Sequence, residues 1–439
     1  MGQVKIYTLL VTFYSFFPLV YGQGWQLDRC LVYAKENNKE LLANSQNIRV
    51  AGFDKKVALS QFVPEVSLSA EMDYYWKIPV QSYPGELVGK EEGTTVAIPI
   101  GTPWMGNYGV NVNWKILNME AWQEIKVQNL KSQASKYNYQ SLSKLLDRNV
   151  TAAYYSVQIQ RINVETADER LRMYRHINSL LFKQFDAGII DKISLNQSQS
   201  ILNQYVENQI KVETDFQKSL LDLKFWMSYP LDELLSISDI ENIPSLTNES
   251  FSVHNLPNYE EQQHKVNIEE YKYKSLRSSF YPKLSFTSNL GQMGFGDKFN
   301  DFKRSSSWYT SGFVGLRLQI PLFSLADINS AKRQKAIAKQ ASMELSDYEE
   351  RETKNFRQIV LETNKTLKVL DKLNEVVKLA EENERLCQQK IEQGIIDMLQ
   401  LKQIQQDLIE SQERLNTAKL NYLKNYVELN YLQSNRIEK

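Results

Sequence analysis

Hydrophobic and polar positions follow two different periods along this chain, and each period keeps to its own windows. Val66, Leu68, Ala70, Met72 and Tyr74 are apolar, while Glu65, Ser67, Ser69, Glu71 and Asp73 between them are polar. Alternation of period two marks a strand with one apolar and one wet face. The pattern recurs where Val110, Val112, Trp114 and Ile116 alternate with Asn111, Asn113 and Lys115. It returns in Leu284, Phe286 and Leu290 against Ser285, Thr287 and Asn289, broken only at Ser288, and in Leu316, Leu318 and Ile320 against Arg317 and Gln319. Four long strands in two hairpins are predicted, with polar or Gly-containing loops near residues 82–93 and 296–306.

The second period steps by threes and fours. Phe356, Val360, Thr363, Leu367, Leu370, Leu373, Val377 and Ala380 follow it. So do Leu401, Ile404, Leu408, Leu415, Ala418, Tyr422, Tyr426 and Leu429, with Ser411 as a polar interruption. Such narrow apolar seams suit helices packed as coiled coils. Glycine and proline punctuate the chain in agreement: residues 110–187, 189–229, 322–393 and 395–439 contain neither. Helices over 119–187 and 325–393 would each be on the order of 100 Å long at ~1.5 Å per residue.

The two halves repeat each other. Ser60-Gln61-Phe62-Val63-Pro64-Glu65-Val66 resembles Ser278-Ser279-Phe280-Tyr281-Pro282-Lys283-Leu284, and Gly-Ile-Ile-Asp occurs both at Gly188–Asp191 and at Gly394–Asp397. Each half reads as helix, strand hairpin, long helix, tight turn and shorter helix. The first repeat is placed at residues 23–230, with its hairpin at 62–118, long helix at 119–187 and second helix at 191–229. A connecting segment occupies 231–257; the second repeat occupies 258–439, with its hairpin at 280–324, long helix at 325–393 and second helix at 397–432. Gly188 and Gly394 suit the left-handed residue that ends a helix, and Asp191 and Asp397 suit the cap of the helix that follows.

Four strands cannot close a barrel, and an open sheet edge is not tolerated in lipid. Residues 1–22 read as a secretory signal peptide, with Lys5 before an apolar run and a cleavage site before Gln23. The remaining sequence offers no further apolar run of about 18 residues, so a crossing of the membrane calls for a barrel shared between copies. Aromatic residues crowd the strands (Tyr74, Tyr75, Trp76, Trp104, Tyr108, Trp114, Trp308, Tyr309), as the girdles of such barrels require. Lys+Arg and Asp+Glu balance at 52 each, so no overall field points to nucleic acid.

Candidate chemistry is sparse. His176, His254 and His264 are scattered, and the spacing of His254 and His264 suits surface histidines better than metal ligands. Residues 291–296, GQMGFG, lack the order of a phosphate loop and read as a hairpin turn. Cys30 and Cys387 read as packed thiols. The sequence presents no acid–base pair or nucleophile motif, so neither an enzyme nor a cofactor is expected.

Taken together, Trp25-Gln26-Leu27, Cys30, Ala34 and Asn37-Asn38 at the start, the strand entries at Pro64 and Pro282, Ile320-Pro321-Leu322-Phe323 before a long helix, and the two glycine turns resemble the TolC family of outer-membrane efflux and secretion channels. The resemblance covers essentially all of the chain after the leader. It implies an α+β membrane protein with internal duplication: a homotrimer whose three chains, four strands each, form a 12-stranded barrel in the outer membrane, continued by a coiled-coil helical tunnel in the periplasm. It also implies a periplasmic adaptor and an inner-membrane pump as partners. Adaptor docking would fall to Gly188, Asp191, Gly394 and Asp397. The tunnel entrance would be lined by Ser194, Gln400 and Gln403. The family commonly has an aspartate where Gln400 stands and often an acid at Gln403, so a weaker block by cations is expected, with either Asp397, Glu392 and Asp407 or neutral hydrogen bonds taking the place of the acidic ring. The competing readings are a periplasmic adaptor, which usually carries one helical hairpin rather than two, and a coiled-coil adhesin.

Overall fold

The computed structural model describes residues 24–238, 251–393 and 398–433. The signal segment 1–22 lies outside them. The chain folds as two compact units. The sheet unit takes residues 43–141 and 252–354, and the bundle unit takes 24–42, 142–238, 251, 355–393 and 398–433.

In the sheet unit, strands β1 (Glu65–Tyr74), β4 (Trp104–Leu117), β5 (Lys283–Gly296) and β6 (Trp308–Gln319) form one antiparallel sheet in the order β1-β4-β5-β6. The two halves therefore meet at β4 and β5, paired from Trp104↔Gly296 to Leu117↔Leu284 with an irregularity between Lys115 and Leu117. Even-numbered side chains form the apolar face: Val66 lies opposite Val112, and Leu284 opposite Leu318. This face is bare, with Leu68 76%, Val314 75% and Leu316 70% exposed. The odd-numbered face is wet and bonds to itself across three strands. Asn111 donates to Ser69 Oγ at 2.8 Å and accepts from Asn289 at 2.8 Å. β1 and β6 are the two edges.

Two expectations need correction. The GQMGFG segment is not a turn: it lies inside β5, and the chain reverses after it, between Gly296 and Trp308. The reason is backbone contact. A Cβ on Gly291 would stand 2.3 Å from the Tyr108 carbonyl oxygen, so glycine here lets two strands approach rather than letting one bend. The loop near 82–93 is shorter than expected, because Val80–Pro84 (β2) and Thr95–Pro99 (β3) pair as a separate two-stranded sheet.

At the helix-proximal end of the sheet, α2 (Lys39–Ser60) leads into β1 and β4 leads into α3 (Met119–Asp186). Trp114 Nε1 donates to the Phe62 carbonyl at 2.8 Å, and Phe62 packs on Trp122. Helix α5 (Pro257–Arg277) delivers the chain to β5, and β6 leads to α6 (Leu325–Glu392). Lys283 pairs with Glu120 at 2.9 Å, tying the start of β5 to the start of α3.

The bundle unit holds the C-terminal parts of α3 and α6, with α1 (Leu27–Asn37), α4 (Lys192–Met227) and α7 (Met398–Gln433). The two seams read from the sequence meet here. Leu370, Leu373 and Val377 join Leu415, Ala418 and Tyr422, with Ile159 and Leu423, in one buried cluster. Phe356 stacks on Phe251 at 4.2 Å and 8°. The backbone at Trp25 bridges to Ile237, and Arg161 donates to the Ile237 carbonyl at 2.8 Å. That ties the start of the described chain to the segment after α4.

Candidate functional site

The first glycine turn is built from backbone chemistry. Helix α3 ends at Asp186, and Gly188 takes φ +73°, a left-handed conformation that strains any residue with a Cβ. Gly188 N–H donates to the Phe185 carbonyl at 2.9 Å and Ile189 N–H to the Gln184 carbonyl at 2.8 Å, satisfying the last carbonyls of the helix. Asp191 then caps α4: its carboxylate accepts the Ser194 N–H at 2.7 Å. That bond holds the Asp191 carboxyl below its ordinary value. The structure thus brings Asp191 and Ser194 into direct contact.

The second turn is only partly visible. Gly394 and Asp397 lie outside the described residues. Gln400 and Gln403 are exposed on α7, and Gln403 donates to Asp407 Oδ1 at 2.7 Å. Gln403 is therefore joined to one of the acids expected to stand in for the missing ring.

Around the first turn, Phe182, Ile189 and Ile193 are 52%, 63% and 66% exposed, an apolar patch on an otherwise polar tip. Sequence reasoning named the glycine and the acid but not these neighbours. The signal was present: two isoleucines flank a cap, where polar residues are the usual choice.

Behind the turn, Leu171, Tyr174 and Leu181 of α3, Ile201 and Tyr205 of α4, Cys387 and Ile391 of α6 and Leu401 of α7 form a single core. Both helical hairpins are joined by it. Within this layer Arg170 pairs with Glu384 at 2.9 Å, with side chains only 14% and 9% exposed, and reaches Glu381 at 3.8 Å. Burial pushes the Glu384 carboxyl up despite Arg170 beside it. Burial also raises Tyr205, and pushes Tyr174 to about 12. The pair was not foreseen, yet Glu384 sits seven residues after Val377 and seven before Ile391. A charge at that position interrupts the seam.

The remaining residues singled out from the sequence are dispersed. His264 stacks on Tyr137 and its protonated form is disfavoured by burial, while His254 packs edge-on against Tyr259. Cys30 and Cys387 are both buried, and neither is in a disulfide.

A bare antiparallel sheet joined to duplicated helical hairpins narrows the choice of family. The family model for outer membrane efflux proteins matches residues 31–227 and 253–432. The chain belongs to the outer membrane efflux protein family. The member is similar to the alkaline protease secretion protein AprF of Pseudomonas aeruginosa, 22% identical over 306 residues that cover 68% of this chain and 63% of that one. It is similar also to the solvent efflux pump outer membrane protein SrpC of Pseudomonas putida, 21% identical over 311 residues, with coverage of 67% and 63%. The matched region thus spans 63% of the length of these curated relatives. Among solved structures, the outer membrane channel CmeC of Campylobacter jejuni superposes with TM-score 0.77 at 15% identity, covering 93% of this chain and 85% of that chain. CusC gives TM-score 0.75 at 14% identity, covering 94% of each. These likenesses establish the fold of this family member.

Proposed function

We propose that the chain is the outer-membrane duct of an export machine, a passive channel that does no chemistry of its own. Three copies close a 12-stranded barrel, and their helices continue it as a periplasmic tunnel. The single observation that carries this reading is the four-stranded sheet with a bare apolar face, a self-bonded polar face and two open edges, β1 and β6. In lipid such a sheet is stable only when identical neighbours satisfy the edges. Family membership supports the same reading.

The expected partners are a periplasmic adaptor and an inner-membrane pump. The tips around Gly188, Asp191, Gly394 and Asp397 would receive the adaptor, with Phe182, Ile189 and Ile193 supplying apolar contact at the first tip. Ser194, Gln400 and Gln403 would line the entrance with hydroxyl and amide groups. AprF is named for protease secretion and SrpC for solvent efflux, so membership alone leaves the cargo open.

Gel mobility of the detergent-purified protein with and without boiling tests the assembly: a trimer band that collapses on heating is expected. Stable single-channel conductance in planar bilayers tests the duct. A folded, water-soluble monomer with no conductance overturns the proposal. The neutral entrance predicts weak block by millimolar divalent or trivalent cations, and strong block contradicts it.

A further inference from the structure

The polar face of the sheet changes character along its length. Near the helices it carries Lys115, Arg317 and Lys283, with Glu65 among them, and then the Ser69, Asn111 and Asn289 row. Toward the far rim it should stay polar if it only wets a pore. It does not. Phe295 and Tyr309 are 38% and 60% exposed on that face with ring centroids 6.2 Å apart, and Met293 lies opposite Tyr309. On the same face at the same end, β1 carries Glu71 and Asp73.

The two strips are completed by assembly. β6 bears Tyr309 and β1 bears the acids, and these are the two edge strands. Closing the barrel puts β6 beside β1 of the next copy, at a strand spacing of about 5 Å. Both apolar faces must meet lipid, so side-chain parity keeps the partner copy's acids on the same side as the aromatics. Both strands also reach the same rim, β1 ending at Tyr74 and β6 beginning at Trp308.

We propose that the outer third of the channel carries an affinity patch for cationic amphiphiles, formed by Met293, Phe295 and Tyr309 of one copy with Glu71 and Asp73 of the next. This rests on the duct reading above and names the cargo class that reading leaves open. Aromatic faces attract desolvated cations, thioethers pack against apolar rings, and the carboxylates supply charge. The chemistry excludes amphiphilic anions. The charge along the face, basic near the helices and acidic at the rim, favours outward passage of a cation. Each contact is exposed and weak, as a patch that must release its cargo requires.

The test uses the reconstituted full-length protein in planar bilayers, with tetraphenylphosphonium and its anionic counterpart tetraphenylborate as probes. Tetraphenylphosphonium should produce transient blocks, and tetraphenylborate few. The Glu71→Gln/Asp73→Asn variant and the Phe295→Ser/Tyr309→Ser variant should each shorten the blocks about fivefold, the scale of one exposed cation–aromatic contact. Both should keep the wild-type trimer band and open conductance. Equal block by the two ions overturns the proposal. So does an unchanged carboxylate variant, which would mean a merely apolar patch, or an unchanged aromatic variant, which would mean plain electrostatics. Conductance without discrimination defeats the patch alone, whereas absence of any conductance defeats the duct as well.

Discussion

The two units of this chain solve the problem of burial in opposite ways. In the bundle unit, apolar seams close on each other within one chain, and a residue such as Leu408 or Leu423 is fully buried without any neighbour copy. In the sheet unit, alternation gives β1, β4, β5 and β6 an apolar face that, among the described residues, only Phe299 and Phe302 of the rim loop touch, and two edges that no described strand pairs. The helical unit is therefore sensitive to what is placed inside it. The sheet unit is sensitive to what surrounds it, and in the duct proposed above its stability belongs to the assembly and the lipid.

The sharpest way to break this contrast is to charge the bare face. Leu316→Arg should cost about 2–4 kcal/mol in each of three copies if the residue sits near the bilayer midplane, and abolish the heat-sensitive trimer while leaving helical circular dichroism of the chain largely intact. In the bundle the matching insult is to unpair a buried charge. Arg170→Leu should destabilise by about 3–5 kcal/mol, read by thermal melting of helicity, and Arg170→Leu/Glu384→Leu should recover most of the loss. The pH dependence has a definite sign. Burial raises the Glu384 carboxyl in the folded state, so its contribution is fully present below its unfolded value and is lost as pH rises through the raised one. The Arg170→Leu defect should accordingly shrink on acidification. If it grows instead, Glu384 is not the group left unpaired.

Smaller effects belong to the tip, where neither lipid nor core is involved. Gly188→Ala forces a Cβ into φ +73° and should cost about 1–2 kcal/mol, lowering adaptor affinity more than trimer yield in a pull-down against detergent-solubilised channel. Asp191→Ala should have the least effect on stability, because the cap is fully exposed. The wild-type cap, with its lowered carboxyl, is present above the unfolded value and lost as pH falls through the folded one. Hydrogen exchange at the first turn of α4 should therefore be faster in the variant at neutral pH and equal to wild type in strong acid.

What could be read from the residues, and what could not, follows the same division. Alternation over ten residues in β1 and seven in β4 announces those strands, and gaps free of Gly and Pro announce α3 and α6, because in each case many positions repeat one physical demand. β2 and β3 escaped because each has five residues, and Pro79, Pro84 and Pro99 at their ends look like loop punctuation. The glycines of β5 escaped because sequence does not distinguish a bend from a close approach of two backbones. The Arg170–Glu384 pair needed a partner 214 residues away. Only Glu384, breaking a seven-residue spacing, left a trace. At the tip, Gly188 and Asp191 are legible because their roles are local, whereas the exposure of Ile189 and Ile193 depends on which helix face the bundle consumes.

The inaccessibility of the two native thiols has a practical side. Cys30 is wholly buried, with its ionisation pushed up to about 12 by desolvation, and Cys387 is locked into the layer that unites the hairpins. Maleimides and spin labels will therefore ignore both at neutral pH. Single cysteines engineered along the wet face of β5 or on α4 can be tagged in the unmodified background, which, on the duct reading proposed above, makes this molecule a ready-made ruler for following cargo.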